Sequence, residues 1–188
     1  MSLDINAKLR DLLALSAENE VVEFKEAKNG YDFTKLGKYF SALGNEANLK
    51  HQRAAWLVLG VSDQRQVVGS SFRAVRKDLD SLKEEIANKT TNRITFIEIH
   101  EVAHAHGRVV VFEIPAAPKG LPVAFDGHYY GRDGEALSPL NLEEIERIRI
   151  KIEDLKRKGD FNKVAELQYG ELPAIEQRHK EAQAKETG

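Results

Sequence analysis

The chain has 188 residues, 41% hydrophobic and 31% charged, with a net charge of −2 and no cysteine. That is room for one domain and an appendage, not for two full domains. It excludes disulfides, thiolate zinc sites, iron–sulfur clusters and a cysteine nucleophile. It also excludes a grip on nucleic acid by bulk charge, so any basic surface must be local.

No stretch approaches the roughly 18 apolar residues of a membrane-spanning helix. The start, MSLDINAKLR, lacks the apolar core of a signal peptide, which implies a cytoplasmic protein. In chain order, Ile5, Leu9, Leu12, Leu13 and Leu15 predict a short amphipathic helix over 5–15. Residues 21–24 form a strand candidate. Phe33, Leu36, Phe40 and Leu43 share one face of a helix over 33–43. The run AAWLVLGV, 54–61, reads as a strand buried on both faces. A tight turn at 63–65 leads to its partner, 66–69. Val75, Leu79, Leu82 and Ile86 predict a helix over 74–88. Residues 94–102 and 108–114, joined by AHAHG, make the clearest hairpin. Short strand-like pieces follow at 123–125 and 128–130.

Composition changes near residue 140. The expected organisation is an N-terminal helix (1–15), an α+β domain with a mixed β-sheet flanked by helices (16–140), and a C-terminal helical hairpin (141–188). In the tail, Leu142, Ile145, Ile148, Ile152 and Leu155 form an apolar stripe near heptad spacing. Gly159 and Asp160 turn the chain, and Val164, Leu167, Leu172 and Ile175 supply the return stripe. Such a hairpin has too little core of its own, so it should dock on the domain or on another copy, which implies a homo-oligomer.

His100-Glu101-Val102-Ala103-His104 spells H-E-x-x-H, but zinc-protease chemistry needs those residues on a helix. Here they end a strand, where residues four apart stand too far from each other for one zinc. Glu18, Glu20, Glu23 and Glu26 form an acidic cluster, and Asp63 follows the buried strand. Converging carboxylates could hold a divalent ion that activates water. On a strand Glu23 and Lys25 share a face, so Lys25 is the internal alternative to a metal. Lys25, Lys28, Lys35, Lys38, Lys50 and Arg53 form a local basic cluster suited to phosphate contacts. Tyr129, Tyr130 and Arg132, in YYGRDG, could stack on bases and bind phosphate. No Walker A sequence, G-x-G-x-x-G or nucleophile elbow is present, so no motif implies ATP binding.

Five segments in this order, ENEVVEFKEA (18–27), FSALGN (40–45), WLVLGVSD (56–63), VVG (67–69) and YYGRDGEAL (129–137), resemble the Schlafen AlbA-like domain. That domain occurs in bacterial transcriptional regulators and RecG-related helicase-like proteins, and in animal Schlafen proteins. The resemblance covers about residues 16–140. It implies an α+β domain that binds DNA or RNA, here through Lys25, Lys35, Lys38, Arg53 and Arg132, in a regulator or a defence-related accessory protein. The family usually has Gly-Gly after the Asn; this chain has EANLKHQRAA after Asn45. Some Schlafen members are ribonucleases with three carboxylates. The matching positions are Glu18, Glu23 and Asp63, which makes a magnesium- or manganese-dependent endoribonuclease the enzyme alternative. The tail, at Lys158–Phe161 and Ala165–Glu176 within a stretch of about 30 residues, is similar to part of the coiled-coil middle domain of the disaggregase ClpB. It supports a third reading, an assembly module.

Overall fold

Four short apolar segments build the central sheet. The computed structural model describes residues 2–15, 21–133, 136–139, 142–171, 173, 176 and 177. Strands β1 (Val22–Lys25), β2 (Ala54–Leu59), β3 (Glu98–His104) and β4 (Gly107–Pro115) lie in the order β1-β2-β4-β3. β1 runs parallel to β2, and the other pairs are antiparallel. β2 is buried on both faces, as its unbroken apolar run predicts. Ala55, Leu57 and Leu59 face α2 (Phe33–Leu49) and α3 (Arg76–Ala87), while Trp56 and Val58 face α1 (Ile5–Leu13). The result is a three-layer α+β domain with helices on both faces of a mixed sheet.

The observed helix α2 is longer than the pattern predicts. It runs on through Gly44 and Asn45 to Leu49, so the residues that replace the family's Gly-Gly extend the helix. The chain then turns at His51, whose φ is +57°. β3 starts later than the predicted Ile94. Thr91–Arg93 form a 3-10 turn, and the hydroxyl of Thr95 donates to the Lys83 carbonyl (2.6 Å), holding this stretch against α3. His100, Glu101 and His104 do lie on strand β3, which removes the zinc-protease geometry.

Three glycines set the crossing at one end of the sheet. Gly60, Gly69 and Gly107 have φ of +96°, +81° and +138°. A Cβ on Gly107 would stand 2.6 Å from the Gly69 Cα. Backbone therefore lies on backbone where the segment after β2 meets the start of β4.

At the outer edge of the sheet, Arg76 of α3 donates to the Ile99 carbonyl (2.8 Å), and Glu98 accepts from the Ile99 amide (2.8 Å). A second sheet, β5 (Ala124–Phe125), β6 (His128–Asp133) and β7 (Ala136–Pro139), lies against α2.

The tail forms α4 (Leu142–Arg157), α5 (Phe161–Ala165) and a π-helical turn to Glu171. Asp160 Oδ1 caps α5 by accepting from the Lys163 amide (3.4 Å). Gly159, with φ +77°, ends the α4 segment, and the Asp160 amide reaches back to the Leu155 carbonyl (3.1 Å). Ile152, Leu155, Val164 and Leu167 pack together against Leu121 and Tyr129 of the domain. The hairpin thus docks through Ile152, Leu155, Val164 and Leu167 of its predicted stripes. Leu172 and Ile175 lie outside the described residues.

Candidate nucleic-acid interface

The polar face of α2 does the work of a missing strand partner. Asn45 Nδ2 donates to the carbonyls of Val123 (3.1 Å) and Tyr130 (2.8 Å), and its Oδ1 accepts from the Val123 amide (2.7 Å). Ser41 donates to the Val123 carbonyl (2.6 Å) and accepts from the Tyr130 amide (3.1 Å). Gly44 leaves room for the Pro115 carbonyl, only 3.0 Å from where a Cβ would stand. The FSALGN segment is therefore a seam between α2 and the second sheet. Asn45→Ala should cost about 2–3 kcal/mol, because it leaves buried backbone groups without their partner. Thermal unfolding followed by circular dichroism checks this, and an unchanged melting temperature would remove the seam from the account.

Glu23 and Arg132 join the first and last of the five segments. Glu23, only 3% exposed, points to the α2 side of β1. Its Oε1 binds Lys25 Nζ at 2.9 Å, and its Oε2 binds the Arg132 guanidinium. Arg132 also donates to the Val22 carbonyl (3.2 Å), and its amide donates to Glu46 Oε1 (3.3 Å). Burial pulls the Lys25 ammonium down, but the hydrogen bond and charge of Glu23, with Tyr39, outweigh it. They hold Lys25 well above the usual lysine range.

This geometry revises the sequence expectations residue by residue. Arg132 is buried, so it positions Glu23 and β1 rather than offering a phosphate contact. Glu23 gives one oxygen to each of two cations, which is the internal alternative to a metal. Asp63 is exposed in the turn after β2. Its carbonyl accepts from Arg65, whose guanidinium lies 4.4 Å from the Phe24 ring centre, on the α1 side. Glu18 lies outside the described residues. Among the described residues, no group of three or more His, Asp or Glu could hold a metal ion.

The basic residues also separate. Arg53 precedes β2 at the far end of α2, about 21 Å along the helix from Lys35. Lys25 and Lys28 sit at the other end, beside the first turns of α2 with Lys35 and Lys38. There the lysines interleave with tyrosines, of which the sequence pointed to Tyr130 but not to Tyr31 or Tyr39. Lys25 Nζ is 5.2 Å from the Tyr39 ring centre, and Lys38 Nζ 5.7 Å from that of Tyr130. Burial, then the charges of Tyr39, Glu23 and Asp32, push the Tyr31 hydroxyl above its usual range against the pull of Lys25. Burial likewise raises Tyr130, with Asp126 adding to it. Both phenols stay neutral at ordinary pH. Among the described residues, no helix is long and apolar enough to cross a membrane.

Known proteins match in two ways. A stretch of 41 residues is 49% identical to the chaperone protein ClpB of Corynebacterium diphtheriae, covering 22% of this chain and 5% of that protein. Bacillus cereus ClpB is 26% identical over 131 residues, 62% of this chain and 14% of the chaperone. The chain thus spans a small part of the curated relatives it matches. The DIP2311 protein of Corynebacterium diphtheriae shares the fold with a TM-score of 0.51 at 18% identity, over 78% of this chain and 28% of that one. The N-terminal domain of a RecG-related protein from Nitrosomonas europaea gives 0.49 at 19% identity, over 75% and 94% of the two chains. The profile of the Schlafen, AlbA_2 family matches residues 18–141, a region that holds the EFK strand, the α2 seam and the buried Glu23–Arg132 pair, and the chain belongs to that family.

Proposed function

We propose that this protein binds nucleic acid through the lysine–tyrosine strip at the start of α2, in a regulatory or defence-related role. The observation that carries this reading is the pairing of Lys25 with Tyr39 and of Lys38 with Tyr130, beside exposed Lys35. Ammonium groups meet phosphates, and the part-exposed rings of Tyr31 and Tyr130 give bases a surface to stack on. Lys25 keeps its charge because Glu23 is buried behind it. Membership of the family supports the same reading. The strip draws Lys25 from β1, Lys35, Lys38 and Tyr39 from α2 and Tyr130 from β6, and its lysines suit a backbone-tracking contact more than a base-specific one. The ribonuclease alternative, with magnesium or manganese, draws no support from Glu23, whose oxygens are already bound to cations.

A titration of labelled duplex DNA, single-stranded DNA and hairpin RNA by fluorescence anisotropy tests the reading. Each lysine on a phosphate adds about 0.9 to the steepness of log affinity against log salt. Changing Lys35 and Lys38 together to Glu should therefore lower that slope by about 2 and weaken binding at least about tenfold at low salt. Equal affinity and equal slope for the variant would show that this surface is not the interface.

A further inference from the structure

We propose that α4 is a self-association face, on which two copies of the chain pair with antiparallel α4 helices and Ile150 near the two-fold axis. This rests on the tail alone and is independent of the nucleic-acid reading. Ile152 and Leu155 turn inward, buried against Val164, Leu167 and the domain. Ile150, two residues earlier, lies on the other side of the helix and is 59% exposed. Beside it runs an open groove of about 430 Å³ that includes Ile150, Ile152, Lys156 and Gln168, a recess into which a second Ile150 side chain can enter.

The sequence of the helix selects the partner and its direction. Ile150 is the midpoint of 143–157, and helical spacing places positions 143, 146, 147, 153, 154 and 157 on its face. In a parallel pair each of these meets its own copy, so every contact is like-charged. In an antiparallel pair about Ile150, Glu143 comes opposite Arg157, and Arg147 opposite Glu153. Only Glu146 opposite Asp154 remains like-charged. A two-fold contact of this kind is self-complementary and closed, so it yields a dimer and not a fibre.

Sedimentation equilibrium of the full chain over a wide concentration range tests the proposal. A reversible monomer–dimer equilibrium is expected. Ile150→Glu should raise the half-association concentration at least about tenfold, as loss of a central apolar anchor does. Its unchanged circular dichroism and melting temperature would show that the fold is kept; if it fails to fold, Ile150→Ser at the same position gives the readout. Arg147→Glu and Glu153→Arg should each weaken the dimer, and the two together should recover most of it. A monomer at all concentrations, or a dimer indifferent to both changes at Ile150, overturns the proposal. No recovery in the combined charge variant overturns the antiparallel register.

Discussion

Glu23→Leu should lower the unfolding free energy by about 3–5 kcal/mol, the cost of removing one partner of a buried ion pair. The Arg132 guanidinium would stay in the interior without the carboxylate that it binds. Arg132→Leu should cost less, because Lys25 still holds Glu23 at 2.9 Å and can itself reach solvent. Urea unfolding followed by circular dichroism measures both. Losses of under about 1 kcal/mol for each variant would mean that the pair is incidental to the fold. The pH dependence has a definite sign. Lys25 is raised in the folded state, so its contribution is complete below the unfolded lysine value of about 10.4 and fades only as pH climbs beyond it. Stability should show no loss from this group between pH 7 and 10.

The second large effect is expected at the glycine crossing. Gly107→Ala should cost about 4 kcal/mol, combining a disfavoured backbone conformation with a Cβ 2.6 Å from the Gly69 Cα. Neither backbone can give way without shifting β4 against the segment that follows β2. Gly159→Ala makes the control. Its φ is also positive, at +77°, but nothing lies within 4 Å of the added atom, so the loss should be about 1 kcal/mol. If the two substitutions cost the same in urea unfolding, contact at the crossing is not what fixes Gly107.

The elements that stood out in the sequence are those whose cause is local. β2 reads as a doubly buried strand because each of its residues is apolar, and the β3–β4 hairpin because its residues alternate. Glu23 and Lys25 share a face by strand geometry alone, so their pairing was legible. The Gly159–Asp160 turn follows from the conformational freedom of one and the capping oxygen of the other. What was not legible is what depends on distant chain. Gly44 and Asn45 look like a helix end, yet one makes room for the Pro115 carbonyl and the other binds Val123 and Tyr130. Arg132 looks like a surface arginine beside a turn, and only its carboxylate, 109 residues away, draws it inside. Lys35 and Arg53 are close in sequence, but a helix of 17 residues holds them at opposite ends.

The arginines at the sheet margins bear on how this protein meets other chains. A sheet ends wherever its outermost strand stops offering backbone groups, and here both outer strands are blocked by side chains. Arg76 takes the Ile99 carbonyl of β3, and Arg132 takes the Val22 carbonyl of β1. A strand from another molecule that tried to add at either margin would have to displace a guanidinium first. Growth of the central sheet by edge-to-edge stacking, the route by which exposed sheets aggregate, therefore meets a guanidinium at each margin.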